Sequence, residues 1–434
     1  MQHDSKSTQR QRLLNGMIDV IAREGYAATN VSAVIAAAGV SRPTFYEYFT
    51  DKNDGFLAAL EEVNRRVLGD VASAVSDVAP EFAREAAIGA LARLASAQPG
   101  LARIIFNEAM AGGPGALDGR DHAIHELSQI IERADRRLPA TAQTPDVSTR
   151  MLLGAIYRLL AQRLRRGEPN TSEWLKLLIA WIKSYEQPVG LHRWSTLEPV
   201  APPQRSPLVH ATQLAAPPPA PPGSSRRARR ENQRERIMFA TAKAAQANGY
   251  AATTIAEITG LADVPEHVFT AAFQSKQDAY MAAHEFAFLR TMGVTAGAFF
   301  TNGAWMARGW DAGLAFTQFL DANPTLAHVG FVDAYAVSPG AVKRAEELLE
   351  AFTMFFHEGY RFTGQRQAPS RVAVQAITAT VFETAYHEAR KGQQSSLAGL
   401  VAHLAFVCLA PFIGAQDANS FIEQKLRGPA TPGR

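Results

Sequence analysis

The stretch "YAATNVSAVIAAAGVSRPTFYEYFTDKNDGF", residues 26–56, decides the fold. Thr29 or Asn30 can cap a short helix carrying Val31, Val34 and Ile35, since either side-chain oxygen can accept from a free N–H of the first turn. Ala38, Gly39 and Val40 break that helix, and Gly39 stands where the chain must turn sharply, a place that favours a left-handed backbone. Ser41 can cap the next helix, and Pro43 falls in its first turn, where a missing N–H costs little. Two short helices around a three-residue, glycine-containing turn make a helix-turn-helix. Upstream, Leu13, Leu14, Met17, Ile18 and Ile21 recur at helical steps and stop at Gly25, so a first helix precedes the pair. No stretch alternates with period two over β-branched residues, and the whole chain reads as all-α.

The second helix divides by face. Phe45 and Phe49, four apart, turn inward, which leaves Arg42, Thr44, Tyr46 and Tyr48 outside. One reading has the tyrosines merely covering the core. The other is a DNA groove, where arginine forks onto guanine, a threonine methyl touches thymine and tyrosine hydroxyls reach phosphates.

"GYAAT" occurs at 25–29 and again at 249–253. A gap-free alignment of 25–54 with 249–278 adds Ala38/Ala262, Val40/Val264, Phe45/Phe269, Phe49/Phe273, Lys52/Lys276 and Asp54/Asp278, eleven identities where roughly two are expected by chance. "LARIIFNEAMAGGPGA" (101–116) then aligns with "LAHVGFVDAYAVSPGA" (326–341), one residue out of the first register. A module of about 190 residues is therefore read as duplicated, far longer than a solenoid repeat. Ten of the chain's 24 prolines fall in 186–225, including "APPPAPPGSS" at 216–225, a composition suited to a semi-rigid spacer. The expected division is a first head at 8–58, a helical effector and dimerisation domain at 59–186, a linker at 187–225, a second head with a basic arm at 226–282 and a second helical domain at 283–425.

Composition narrows the class. The 434 residues exceed one ordinary core, 47% are hydrophobic and 20% charged, and no eighteen-residue apolar run offers a membrane span. Met1 to Arg12 is polar and basic without an apolar stretch behind it, so the expectation is a cytoplasmic protein. The one cysteine, Cys408, sits among Phe406, Val407 and Leu409 and reads as a small buried apolar group. The net charge of +3 is small, so any nucleic-acid argument rests on where cations cluster. His122, His125 and Glu126 share a helix but lack a further ligand, and there is no phosphate loop, nucleophile elbow or paired catalytic carboxylate. Neither an enzyme, a metal nor a cofactor is expected.

Residues 10–60 resemble the tetracycline-repressor (TetR) family of bacterial transcription regulators. The likeness is carried by a first helix ending in Glu24-Gly25-Tyr26 and by the string from Thr29 through Ala38-Gly39-Val40-Ser41 and Thr44-Phe45-Tyr46 to Phe49 and Lys52, with Val34-Ile35 where the family has isoleucine-alanine. By that resemblance Arg42, Pro43, Thr44 and Tyr46 meet base edges or nearby sugars, while Thr29, Ser41, Tyr48 and Lys52 hold phosphates. Family members are ordinarily homodimers paired through their last two helices.

The second copy keeps the apolar scaffold and changes the reading residues. Gly39 becomes Asp263, Ser41 Pro265, Arg42 Glu266, Pro43 His267, Thr44 Val268, Tyr46 Thr270 and Tyr48 Ala272. Asp263 tolerates a left-handed turn, and with Glu266 it can form a capping box. Six arginines in "RRARRENQRER" (226–236) fit a solvated charge run or an arm laid along phosphates. A weakened grip through Arg226, Arg227, Arg229, Arg230, Thr253, His267, Thr270 and Lys276 is expected. The apolar faces in 150–167, 174–185, 371–392 and 397–413 are most economically buried on each other, which predicts a monomer with an internal pseudo-twofold and leaves self-association open.

Eighteen of the 23 phenylalanines follow residue 230. Trp305, Trp310, Phe316, Phe319 and Phe331 read either as plain core or as an effector pocket. The functional expectation is a ligand-responsive repressor of double-stranded DNA with an asymmetric operator, released by a small apolar effector. The alternative is a helical scaffold for an effector or a protein, with one head or neither reading DNA.

Overall fold

The computed structural model describes residues 2–138, 148–185, 213–392 and 397–427, so positions 187–212 of the expected linker lie outside the described residues. The chain forms two compact units, one up to Ala180 and one from Trp181. Every element is helical, as the periodicity requires, and there is no strand among the described residues. None of the described helices is long and apolar enough to cross a membrane.

In the first unit α1 (Gln2–Glu24), α2 (Val31–Ala38) and α3 (Arg42–Tyr48) form a three-helix head. Asn30 is the cap of α2, accepting from Ala33 N at 3.0 Å. Gly39 ends that helix at φ 60°, the left-handed conformation, and the Arg12 guanidinium caps the turn through Ala38 O (3.0 Å) and Gly39 O. Gly16 lets α1 and α2 touch, because a Cβ there would lie 2.9 Å from Ala38 N. Leu13, Met17, Val34, Phe45 and Phe49 fill the space between the helices, each buried phenylalanine contributing roughly 2–3 kcal/mol. Asp51 caps α4 (Lys52–Ser76), which leaves the head and carries the chain into α5 (Ala83–Ala97), α6 (Pro99–Arg103), α7 (Ala109–Ala111), α8 (Pro114–Asp135), α9 (Thr149–Arg166) and α10 (Ser172–Lys183).

The second unit opens with four helices at the same spacing. It has α11 (Arg226–Asn248), α12 (Ile255–Ala262), α13 (Glu266–Ala272) and α14 (Lys276–Phe299). The bounds of α11, α12 and α13 and the start of α14 all lie 224 residues beyond those of α1, α2, α3 and α4 (226 against 2, for example). Its core holds Ile237, Ala240, Ala244, Ile258, Ala262, Phe269 and Phe273. Then follow α15 (Trp305–Ala322), α16 (Pro324–Phe331), α17 (Ala334–Val337), α18 (Pro339–Ala351), a 3-10 segment (Phe352–Phe362), α19 (Arg371–Arg390), α20 (Val401–Ile413) and α21 (Ala415–Arg427). Pro324 and Pro339 start α16 and α18 225 residues after Pro99 and Pro114 start α6 and α8, so the one-residue register change falls between Lys276 and Pro324.

The described part of the proline-rich stretch lies on this unit. Leu214 N donates to Asn323 Oδ1 at 2.6 Å, and Asn232 Nδ2 donates to Pro218 O at 2.8 Å. Prolines bring no N–H of their own, which leaves such carbonyls open to side-chain donors.

Candidate functional site

The outer face of α3 is compact and mixed in chemistry. Ser41, Arg42, Pro43 and Tyr46 are exposed, and Thr44 and Tyr48 are half-buried. Tyr46 is 49% exposed, large for an aromatic side chain, and the Arg42 guanidinium lies 6.0 Å from its ring. Ser41 Oγ accepts from Thr44 N (3.3 Å) and sits 2.8 Å from Thr44 Oγ1, so one residue starts the helix and orients its neighbour. Phe45 is fully buried and meets Phe49 at 5.5 Å, which fixes the rotation of the helix and turns Arg42 and Tyr46 outward.

Two residues expected at phosphates also make contacts within the head. Thr29 is buried and its hydroxyl donates to Gly25 O at 2.8 Å, closing the loop between α1 and α2. Lys52 donates to Tyr26 O at 3.2 Å with its ammonium 4.4 Å from the Tyr26 ring, and burial lowers its pKa. Thr253 and Lys276 make the same contacts in the second head, to Gly249 O (3.0 Å) and to Tyr250 O (2.9 Å). The threonines close the loop after α1 or α11 on itself, and the lysines join that loop to the start of α4 or α14.

The second head presents another face. Pro265, Glu266, His267 and Thr270 are exposed on α13, which has no side-chain cap because proline has replaced serine at its start. Asp263 takes the left-handed turn at φ 49°. The expected capping box with Glu266 does not form: Asp263 closes α12, its Oδ2 accepts from Arg236 at 3.2 Å, and the cap position of α13 belongs to Pro265. The arginines of the expected basic arm, Arg226, Arg227, Arg229 and Arg230, are exposed in the first turns of α11. Ser225 caps that helix by accepting from Ala228 N (3.1 Å), and Arg227 pairs with Glu231 one turn on (2.8 Å).

A contact that the sequence reading missed ties the first head to its helical domain. Tyr26 N donates to Glu108 Oε2 at 2.9 Å, while Arg103 Nε donates to Glu108 Oε1 at 2.8 Å. Glu108 ends a π-helical stretch, Ile104–Glu108, whose wider winding sets this carboxylate against the head. The signal lay in the repeat: Arg103 and Glu108 align with His328 and Asp333, which sit 3.3 Å apart in the second unit.

The second unit holds a partly open cavity of about 90 Å³. Trp305, Trp310 and Phe316, three of the five expected residues, line it together with Phe299, Phe352, Phe355 and Phe356. Phe319 and Phe331 are buried but lie outside the lining, Phe331 packing edge-on against Phe316 (6.1 Å) and Phe382 (5.1 Å). Cys408 faces the cavity, and burial pushes its thiol up to about 12. Gly309 and Gly313 also line it, although each glycine costs the helix about 1 kcal/mol relative to alanine.

His284 on α14 is buried, and burial, reinforced by Arg344 and opposed by Glu285, lowers its pKa to about 4. The unfolded chain therefore binds the proton first, and stability present above pH 6.5 is lost as the pH falls toward 4, up to about 3 kcal/mol. The position 224 residues earlier holds Leu60. We expect His284→Leu to flatten the pH dependence of the second unit's melting between pH 6.5 and 4; an unchanged slope assigns the acid sensitivity elsewhere.

Residues 13–59, from the apolar part of α1 into α4, match the family described as "Bacterial regulatory proteins, tetR family". Among solved structures the chain is similar to a tetR-family bacterial regulatory protein from Rhodococcus RHA1 (18% identity, 44% of this chain and 98% of that one, TM-score 0.37). It is similar also to the transcriptional regulator FadR from Bacillus subtilis in complex with stearoyl-CoA (14% identity, 41% and 97%, TM-score 0.36). A third is the fatty acid degradation regulator FadR from Bacillus halodurans (16% identity, 40% and 96%, TM-score 0.33). TM-scores this low add no argument to the match over the head. No curated protein matches the chain.

Proposed function

We propose that this chain, a TetR-family DNA-binding regulator by its head at residues 13–59, is a ligand-responsive repressor that binds an asymmetric operator as a monomer. One observation carries the reading: α3 and α13 occupy equivalent places in two like heads but expose opposite chemistry, Arg42 and Tyr46 against Glu266 and Thr270. Groove contacts give the first head its sequence preference. The second grips the phosphate backbone through Arg226, Arg227, Arg229 and Arg230, with little reading of bases. A palindrome suits two identical heads; these two differ, so the operator does too.

Release is assigned to an apolar effector in the cavity of the second unit, acting through α14, which runs from that cavity's Thr295 and Phe299 back to the second head. The Glu108 contact to Tyr26 offers the first head a comparable link to its own helical domain.

The test is a binding titration of the full chain at several salt concentrations, on genomic fragments flanking its gene, paired with light scattering. Affinity for one fragment that falls steeply with salt, at a mass near 47.0 kDa, is expected. Absence of salt-dependent binding to any fragment removes the DNA reading, and twice that mass in dilute solution removes the monomer.

A further inference from the structure

We infer that the cavity of the second unit takes an uncharged apolar group of about one ring's size, and that Gly309 and Gly313 are the residues that make room for it. This rests on the effector-cavity reading above. Trp305, Gly309, Ala312, Gly313 and Phe316 fall at i, i+4, i+7, i+8 and i+11, one stripe of α15 turned to the cavity. In a filled core that stripe would carry large side chains throughout. Here its centre is bare: a Cβ added at Gly309 meets nothing within 4 Å, and one at Gly313 meets only Val401 Cγ2 at 3.8 Å. Neither glycine has a positive φ, so backbone freedom does not account for them. The space does.

The lining decides the chemistry. No residue that carries charge at neutral pH contributes to it. Its hydroxyls are already committed, Thr295 to Thr291 O (2.7 Å) and Thr378 to Val374 O (3.0 Å), and Trp305 Nε1 donates to Phe355 O at 2.9 Å. An anion would enter without a cationic partner and a cation without a carboxylate, and burying an unpaired charge is prohibitive. The Arg308 guanidinium, 5.0 Å from the Phe299 ring, is outside the lining and paired with Glu358, so the edge of the aromatic cage already holds a cation. That disfavours the cage as a cation site despite its many rings. Size follows from volume: about 90 Å³ is several times the roughly 10–15 Å³ one water needs and below the roughly 150 Å³ of an apolar cavity that takes up benzene. The group seated there is therefore one ring, or a short branched chain, and the walls give way slightly to admit it.

The experiment compares benzene, benzoate and benzylammonium, one ring in three charge states, on the full chain by ligand-observed NMR and by melting. Benzene is expected to show exchange broadening and to raise the second unit's melting temperature, while the two ions do neither. Gly309→Leu fills the space with a better helix former, so the variant should fold, melt higher than wild type and bind benzene at least about tenfold more weakly. Gly297→Leu, at an exposed helical glycine, should keep wild-type binding. An ion bound as tightly as benzene overturns the assigned class and leaves the effector cavity standing. Failure of all three probes overturns both, without touching the DNA reading, which the salt titration tests separately. Undiminished benzene binding by Gly309→Leu overturns the glycine assignment.

Discussion

Phe45→Ala is expected to destabilise the first head by about 3–5 kcal/mol and to abolish sequence-specific DNA binding. Phe45 is fully buried, meets Phe49 at 5.5 Å and sets the rotation of α3, so its loss empties the centre of a head only about fifty residues long. A unit of that size has a stability of the same order as the loss. The matched change in the second head, Phe269→Ala, removes an equally buried ring from the core of Ile237, Ile258 and Phe273. It should cost a similar amount, reduce affinity and shrink the salt dependence, yet leave the preferred sequence unchanged. Because the units need not unfold together, the readout is amide exchange of residues 31–48 and 255–272 beside binding to specific and random DNA. Equal loss of discrimination from the two changes would show both heads to be readers.

Arg42→Ala is expected to weaken specific binding by roughly ten- to a hundredfold, about 1–3 kcal/mol, with little effect on random DNA. The side chain is exposed and makes its nearest aromatic contact to Tyr46 at 6.0 Å, so its removal leaves the fold of α3 intact. Glu266→Arg, the converse change, should tighten binding to all sequences alike and steepen the salt dependence by about one counterion or more. It restores a cation at the position equivalent to Arg42, but α13 begins at Pro265 without the side-chain cap that Ser41 gives α3. Charge returns and orientation does not. If Arg42→Ala weakens specific and random DNA equally, α3 holds backbone rather than bases; if Glu266→Arg changes nothing, α13 does not approach the duplex.

Much of the first head could be read in advance because its determinants are local. Asn30, Gly39, Ser41 and Pro43 each act within one turn of their own position, and the Phe45–Phe49 step turns Arg42 and Tyr46 outward by helical geometry alone. Contacts with more distant partners could not be read in this way. Thr29 and Lys52 share the family pattern of phosphate-holding positions, yet one hydroxyl faces Gly25 O and one ammonium sits on Tyr26. A run of arginines carries no signal that separates an arm from a helix. Ser225 and the Arg227–Glu231 pair decide for the helix.

By itself the sequence determined an all-α chain and the helix-turn-helix in residues 26–56, because helix caps, turn glycines and apolar periodicity act over a few residues. Only the tertiary structure decided that Glu108 reaches Tyr26 across 82 residues, that Phe319 and Phe331 stand outside the cavity lining, and that Gly309 and Gly313 leave space. A glycine in a helix reads the same whether it permits a close approach or leaves a void. Which of the two it does is fixed by side chains arriving from α19, α20 and the 352–362 segment, and their convergence is a property of packing rather than of any one stretch of chain.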